Sequence, residues 1–193
     1  MAGTEATWDA VVLAGGRARR LGGVDKAALV IGDRSLLDVA LAACSGARHR
    51  VVVGPERETS EPVDWARESP AGSGPLAALG AGLSKLPTES DVVVVLAADL
   101  PSIDAAAVSR LRAAVRSDND VDAAVVVDAA GRVQPLIAAY RRSPLEQTLV
   151  ALGELQDRPV REILGRLTVA TILDADAAAD IDTPADLARL RRP

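Results

Sequence analysis

The sequence predicts an α/β fold in which a mostly parallel sheet carries helices on both faces. Short apolar runs alternate with segments of helical periodicity along the chain, as in strand–helix–strand units. The run at 91–98 is apolar after its first residue, as expected for a central parallel strand that is buried on both faces. With 193 residues and 49% hydrophobic content, the chain can bury a sizeable core. We therefore expect one domain over residues 1–193.

Each element has a local signal. Apolar runs predict strands, which we place at 10–14, 50–53, 91–98, 123–127, 133–140 and 169–173. Helical patterns lie between them, at 36–44, 75–86, 104–117, 144–152 and 161–167. Ser35 is the expected N-cap of the first helix, and Gly131 marks the turn of a hairpin. The polar segment 56–66 predicts a loop with a short edge strand. Thr183 and Pro184 predict the start of a terminal helix.

Composition excludes several classes of protein. The net charge of −5 and the pI of about 5.0 disfavour a protein that binds nucleic acid without sequence preference. Cys44 is the only cysteine, so no internal disulfide can form, and Cys44 with His49 supplies too few ligands for a zinc cluster. Residues 1–9 lack the apolar core of a signal peptide, and no apolar run is long enough to span a membrane. We expect a cytoplasmic protein.

A basic glycine loop follows the first predicted strand: Leu13-Ala-Gly-Gly-Arg-Ala-Arg-Arg-Leu-Gly-Gly-Val-Asp-Lys26. Gly15 and Gly16 allow a sharp turn, and successive N–H groups in such a loop form a concavity that binds anions. Several cations then suit a polyphosphate. Lys26 and Lys85 are the only lysines, which indicates that a compact point charge is needed at position 26. The alternative interpretation is a solvated basic loop.

Two further stretches point to the same edge of the predicted sheet. Asp99 ends the strand at 91–98, and open α/β sheets bind ligands at the carboxyl ends of their strands. The alternative role for Asp99 is a turn before Pro101. Gly72 and Gly74 form a flexible loop, and Pro75 suits the first turn of a helix rich in small residues. Such a helix can approach a ligand or pack tightly on a sheet.

The basic loop lacks the patterns of a P-loop and of a dinucleotide-binding loop. It resembles the signature of nucleotidyltransferases, and within them that of the molybdenum cofactor guanylyltransferases. Four other stretches resemble motifs of that family in the same order: Gly74-Pro-Leu-Ala77, Ala98-Asp-Leu-Pro101, Gln134-Pro-Leu-Ile-Ala-Ala-Tyr140 and Ile181-Asp-Thr-Pro184. The resemblance covers nearly the whole chain and implies a three-layer, Rossmann-like nucleotidyltransferase fold.

The resemblance also implies an activity. The terminal phosphate of molybdopterin, or of its molybdenum-bound form, would attack the α-phosphate of GTP, releasing pyrophosphate and forming molybdopterin guanine dinucleotide. Mg²⁺ would be the cofactor. GTP and the molybdenum cofactor would be the partners, with no nucleic acid or membrane. Transient contact with cofactor-insertion or molybdoenzyme partners is also compatible with the resemblance.

Site roles are carried over from the matching motifs. The backbone of Leu13, Ala14 and Gly15 would line the base and ribose, and Gly16 would continue the turn toward phosphate. Arg20 and Lys26 would bind the triphosphate and act in catalysis. Asp99 would hold Mg²⁺ and contact the nucleotide, with Asp182 as a candidate second ligand. The remaining nucleotide contacts would be Gly54, Glu68 and Gly74. Gln134, with Arg141 and Arg142 beyond it, would lie near the pterin, although a solvated strand end is the preferred interpretation of the two arginines.

Three positions depart from the family pattern. Asp182 replaces an Asn, Gly54 replaces an Asn, and Glu68 replaces an Asp. In the family, the positions of Gly54 and Glu68 contact the nucleotide, so these departures bear on the choice of base and not on the fold. The nearest alternative is a cytidylyltransferase for the same cofactor, whose loop resembles Leu-Ala-Ala-Gly where this chain has Leu13-Ala-Gly-Gly16. The others are a nucleotidyltransferase for another phosphate acceptor, such as a sugar phosphate, and a nucleotide-binding partner protein without catalysis.

Overall fold

A computed structural model of the chain describes residues 7–15, 25–181 and 186. The strands in this part are β1 Trp8–Leu13, β2 Val30–Ile31, β3 Arg34–Ser35, β4 Arg50–Val53, β5 Asp64–Ala66, β6 Val92–Ala97, β7 Ala123–Val127, β8 Val133–Arg141 and β9 Val169–Leu173. The α-helices are α1 Leu36–Ala43, α2 Pro75–Lys85, α3 Ala105–Ser117 and α4 Arg142–Leu152. Lys26–Ala28 and Val160–Arg166 form 3₁₀ helices.

Seven of these strands form one sheet in the order β5-β4-β1-β6-β8-β7-β9. The strands β5, β4, β1 and β6 are parallel neighbours. β8 runs antiparallel to both β6 and β7, and β9 pairs parallel with β7. Only β8 therefore runs against the rest of this sheet, which confirms the prediction of a mostly parallel sheet.

The core has two halves, one on each face of the sheet. Along β6, Val94 and Leu96 pack with residues of α1 and α3, whereas Val93 and Val95 pack with residues of α2 and α4. Alternation along each strand sends successive side chains to opposite faces. Strands that are apolar at every position can therefore fill both halves, and the result is the predicted three-layer architecture.

Most predicted elements lie within a residue or two of their observed bounds. Ser35 is the N-cap of α1, because its Oγ accepts a hydrogen bond of 3.0 Å from the backbone N–H of Asp38. The β7–β8 hairpin turns at Gly131, where φ is +79°. The segment predicted as a helix at 161–167 is a 3₁₀ helix instead. The small β2–β3 hairpin was not predicted, since strands of two residues leave almost no periodicity.

The predicted terminal helix at Thr183 lies outside the described residues. In the part of the chain that is described, no helix has the length and apolar character needed to cross a membrane.

Candidate active site

The predicted site residues follow the carboxyl ends of four adjacent parallel strands. Ala14 and Gly15 follow β1, Gly54 follows β4, the segment with Glu68 and Gly74 follows β5, and Asp99 follows β6. Parallel strands end at the same edge of a sheet, which is where open α/β sheets bind ligands. The fold therefore places at one edge residues that are up to 86 positions apart, from Leu13 to Asp99.

The closest polar contact between predicted site residues in the described part joins Lys26 and Asp99. The Lys26 Nζ lies 3.1 Å from Asp99 Oδ2, and the two side chains are 20% and 24% exposed. Lys26 opens a short 3₁₀ helix whose next residue, Ala27, is buried in the core. That anchor holds the lysine at the sheet edge. A cation and a carboxylate that remain partly open to solvent can each meet a ligand of opposite charge.

Gly54 lies directly against the start of the basic loop. A Cβ built at this position would come within 2.9 Å of both the carbonyl carbon and the oxygen of Ala14, and within 3.0 Å of Gly15 N. Its φ of +152° is also rare for residues with a side chain. The asparagine of the family pattern cannot enter this backbone without a shift. The glycine allows the loop after β4 to close on the loop after β1.

Arg57 is a residue of this edge that the sequence prediction missed. Its Nη2 and Nε donate to Asp25 Oδ2 at 2.8 and 3.1 Å, and its Nη1 donates to the carbonyl oxygen of Ala14 at 3.3 Å. The signal in the sequence was weak, because Arg57 lies in a polar segment with many charges. Only its position after β4, next to β1 in the sheet, could have indicated a role at this edge.

The segment after β5 has contacts of its own. Glu68 Oε1 accepts a hydrogen bond of 2.8 Å from the backbone N–H of Gly72, so this side chain shapes its own loop. Gly74 is the N-cap of α2, with φ of +89°, and a Cβ there would lie 3.6 Å from Asp157 Cα. Asp157 donates its backbone N–H to the Ser73 carbonyl at 2.7 Å and was not predicted near this loop.

The segment that precedes the last predicted motif reaches the same edge. The backbone N–H of Ile181 donates to the carbonyl oxygen of Asp99 at 3.3 Å, and Ile181 is fully buried. The carbonyl oxygen of Leu13 accepts from the N–H of Ala98 at 3.0 Å, which ties β1 to the residue before Asp99. Three other predicted site residues lie outside the described part: Gly16, Arg20 and Asp182.

Gln134 is the second residue of β8, the strand next to β6, and lies toward the same edge because β8 runs in the opposite direction. Its Nε2 donates to Asp128 Oδ2 at 3.2 Å. Asp128 also accepts from the backbone N–H and the Nε of Arg132. The backbone hydrogen bond from Arg132, above all, lowers the pKa of the Asp128 carboxyl. Gln134 is thus held by an ionised carboxylate within its own hairpin.

Arg141 and Arg142 lie at the opposite edge, so the placement near the pterin was wrong. Arg141 pairs in register with Val92, the first residue of β6, and its guanidinium donates to carbonyl oxygens including that of Val121 at 2.8 Å. Arg142 is buried with its Nη1 3.4 Å from Asp9 Oδ2. A solvated strand end is also the wrong description, because both side chains fasten neighbouring segments to the sheet.

Together, the mostly parallel sheet and its carboxyl edge, where Gly15, Lys26 and Asp99 lie, define an α/β protein of the class that binds ligands at this edge. Comparison with known proteins gives the family. The model of the MobA-like NTP transferase domain matches residues 10–171, so the chain belongs to the MobA-like NTP transferase family. This result confirms the resemblance found in the motifs and makes the protein a nucleotidyltransferase.

Individual relatives agree along the length of the chain. The molybdenum cofactor guanylyltransferase of Acidiphilium cryptum (strain JF-5) is 31% identical over 190 residues, which are 92% of this chain and 91% of that protein. Two solved structures share the fold. Molybdopterin-guanine dinucleotide biosynthesis protein A from Archaeoglobus fulgidus has a TM-score of 0.70 at 22% identity, over 95% of this chain and 96% of that one. A Mycobacterium tuberculosis protein in complex with manganese has a TM-score of 0.69 at 20% identity, over 97% and 99%.

Proposed function

We propose that this protein transfers GMP from GTP to the terminal phosphate of molybdopterin, or of the molybdenum cofactor, and releases pyrophosphate. The observation that carries the proposal is the Lys26–Asp99 pair at the carboxyl edge of the sheet, with Nζ and Oδ2 3.1 Å apart. Membership of the family supports nucleotide transfer. The names of the relatives from Acidiphilium cryptum and Archaeoglobus fulgidus support guanine as the base and molybdopterin as the acceptor.

The reaction brings two anions together. An oxygen of the acceptor phosphate forms a bond to the α-phosphorus of GTP, and the bond from that phosphorus to the bridging oxygen of pyrophosphate breaks. No covalent intermediate with the protein is needed. Catalysis then consists of orienting the two phosphates in line and stabilising charge on the leaving group. Lys26, with Arg20 from the basic loop, would supply that positive charge.

The residues present also fit a divalent cation. Asp99 offers a carboxylate, the kind of oxygen ligand that Mg²⁺ prefers, and its side chain is 24% exposed. Mg²⁺ is commonly bound by one or two carboxylates together with substrate phosphates, and Asp182 is the proposed second carboxylate. When bound, such an ion screens the charge of the phosphates. The neighbour in complex with manganese is consistent with use of a divalent metal, and we propose Mg²⁺ for this protein.

The nucleotide would lie across the loops after β1, β4 and β5. The backbone of Leu13, Ala14 and Gly15 would line the base and ribose, and Gly54 would keep that surface free of a side chain. Glu68 and Gly74 would complete the nucleotide contacts. The helix α2 begins at this edge, so its positive end also favours phosphate there.

We further propose that residues 1–193 act as one nucleotidyltransferase domain in the cytoplasm. Its partners would be the two small-molecule substrates. Transient contact with cofactor-insertion proteins or with a molybdoenzyme would follow from the fate of the product.

The test is release of pyrophosphate in the presence of molybdopterin and Mg²⁺, with GTP, CTP, ATP and UTP assayed separately. We expect turnover with GTP and little with the other three. Turnover with CTP instead would retain the mechanism but make the protein a cytidylyltransferase, for which the departures at Gly54 and Glu68 would be the first explanation to examine. No turnover with any of the four would refute the proposed reaction, because either molybdopterin is not the acceptor or the chain binds a nucleotide without catalysis.

A further inference from the structure

One guanidinium bridges both sides of the basic loop. Arg57 donates from Nη1 to the carbonyl oxygen of Ala14, near the start of that loop in the sequence, and from Nη2 and Nε to Asp25, near its end. Arg57 itself belongs to another segment, the loop after β4, and lies 32 positions from Asp25. A single side chain therefore fixes the carboxyl end of β1 relative to the residue that precedes Lys26.

The setting distinguishes this contact from an ordinary surface ion pair. The Arg57 side chain is 14% exposed although its partner Asp25 is 49% exposed. In the Arg48–Glu89 pair elsewhere on the molecule, both side chains are open to solvent, at 47% and 59%. Exposed pairs contribute little to stability because solvent screens them and both side chains lose entropy. The Arg57 guanidinium is held from two directions, which its planar fork allows and a lysine ammonium reproduces poorly. The contact therefore restricts the positions of Ala14 and Asp25 relative to the loop after β4.

Asp25 transmits that restriction to Lys26. Its carbonyl oxygen accepts from the N–H of Ala28 at 3.2 Å, which begins the 3₁₀ helix that carries Lys26. The Lys26 Nζ then meets Asp99 Oδ2 at 3.1 Å. A continuous set of contacts thus runs from Arg57 through Asp25 to Lys26 and Asp99.

We propose that Arg57 is a positioning residue for the nucleotidyl transfer: it acts through Asp25 to hold Lys26 beside Asp99. The inference rests on the proposed function for its effect on turnover, but the position of Lys26 can be measured without turnover. Asp25→Ala, which removes the acceptor, should reproduce the effect of Arg57→Ala, and the double variant should be no worse than either single one, since both changes break the same link.

The first measurement is competitive acetylation of the lysines in the protein without substrates, read by mass spectrometry. Lys26 and Lys85 are the only lysines, and Lys85 is exposed on the last turn of α2, so it serves as an internal reference. Lys26 should react more slowly than Lys85 in the parent protein. In Arg57→Ala and in Asp25→Ala the Lys26-to-Lys85 ratio should rise several-fold, because the amine leaves its carboxylate partner. Arg48→Ala, the matched control, should leave the ratio unchanged.

The second measurement is steady-state kinetics with GTP and molybdopterin. Displacement of a charge-stabilising group by about 1 Å can cost about 10²-fold in rate, so kcat should fall by about 10- to 100-fold in Arg57→Ala, with a smaller change in the KM for GTP. Arg57→Lys should recover part of the loss. Turnover by Arg48→Ala should equal that of the parent.

The outcomes separate this inference from the proposed function. An unchanged labelling ratio in Arg57→Ala would overturn the positioning role whatever the turnover. A raised KM for GTP in Arg57→Ala with normal kinetics in Asp25→Ala would also overturn it, because Arg57 would then act on the nucleotide directly or through Ala14, and not through Asp25. In a further outcome, the parent protein does not use GTP and molybdopterin while the labelling ratio still rises in both variants. That combination would support the positioning of Lys26 and refute only the proposed substrates.

Discussion

Replacing Gly54 by alanine tests how closely the loop after β4 must approach the loop after β1. The change adds one methyl group, and that group would lie 2.9 Å from the carbonyl carbon and oxygen of Ala14 and 3.0 Å from Gly15 N. These are backbone atoms, so no side chain can rotate away to make room. The loop after β1 would have to move, or the loop after β4 would have to withdraw from it.

Two contributions determine the loss of stability. A positive φ costs a residue with a Cβ about 1–2 kcal/mol, and overpacking against rigid neighbours adds about 1–3 kcal/mol. Gly32→Ala is the matched control, because Gly32 has φ of +65° but a Cβ there would meet nothing within 4 Å. The difference between the variants is the packing contribution together with the greater backbone strain of an alanine at φ of +152° than at +65°. For a chain of this length, about 1–3 kcal/mol lowers the midpoint of thermal unfolding by about 2–12 °C.

The assay is thermal unfolding of both variants and of the parent, followed by circular dichroism, together with the KM for GTP. We expect Gly54→Ala to unfold at a lower temperature than Gly32→Ala. The KM for GTP should rise only in Gly54→Ala, since the backbone of Ala14 and Gly15 is proposed to line the nucleotide. Equal unfolding temperatures in the two variants would show that the close approach of the two loops does not constrain position 54, and the packing explanation for its glycine would fail.

Three further changes address other contacts. Lys26→Ala should lower kcat by about 10²–10³, the range for removal of one preorganised group that stabilises developing charge, and an unchanged kcat would remove Lys26 from the mechanism. Asp99→Asn should weaken the dependence of turnover on Mg²⁺, so a metal titration identical to that of the parent would exclude Asp99 as a ligand. Arg142→Met should destabilise the fold by about 3–5 kcal/mol in denaturant titrations, because the fully buried Asp9 loses its ion-pair partner. The KM for GTP should not change in Arg142→Met, since this pair lies at the other edge of the sheet, and a raised KM would contradict that separation.

The order of strands and helices could be predicted from the sequence because the strands of the core are continuous apolar segments. A strand such as β6 is buried on both faces, so its residues at 92–97 are all hydrophobic and need no long-range information to be recognised. Capping signals such as Ser35 are equally local. The 3₁₀ helix at 160–166 and the two-residue strands β2 and β3 were misassigned or missed, because short elements carry little periodicity.

The candidate site could be predicted only where a motif pointed to it. Lys26 was singled out as one of only two lysines, at the end of the basic loop, and Asp99 by its position after an apolar run. The structure brings them together across 73 positions. Arg57 stood in a polar segment without periodicity, and its role required knowing that β4 lies beside β1. Arg142 was interpreted as a solvated strand end, with a place near the pterin as the alternative, and neither is correct. A basic strand end in the sequence does not reveal that its side chain turns inward to Asp9, 133 positions away.

The sequence by itself determined the fold class, the family and the chemical character of the site. Apolar runs, glycines and a basic loop are local features of the sequence, so they can be recognised without knowing the fold. The order of the motifs along the chain then identifies the family. Only the tertiary structure decided which charges meet. The sheet order β5-β4-β1-β6 places the segment after β4 against that after β1, so Gly54 must lack a side chain and Arg57 can reach both Ala14 and Asp25. Such contacts depend on the neighbours that each strand acquires on folding, and residue spacing along the chain does not encode them.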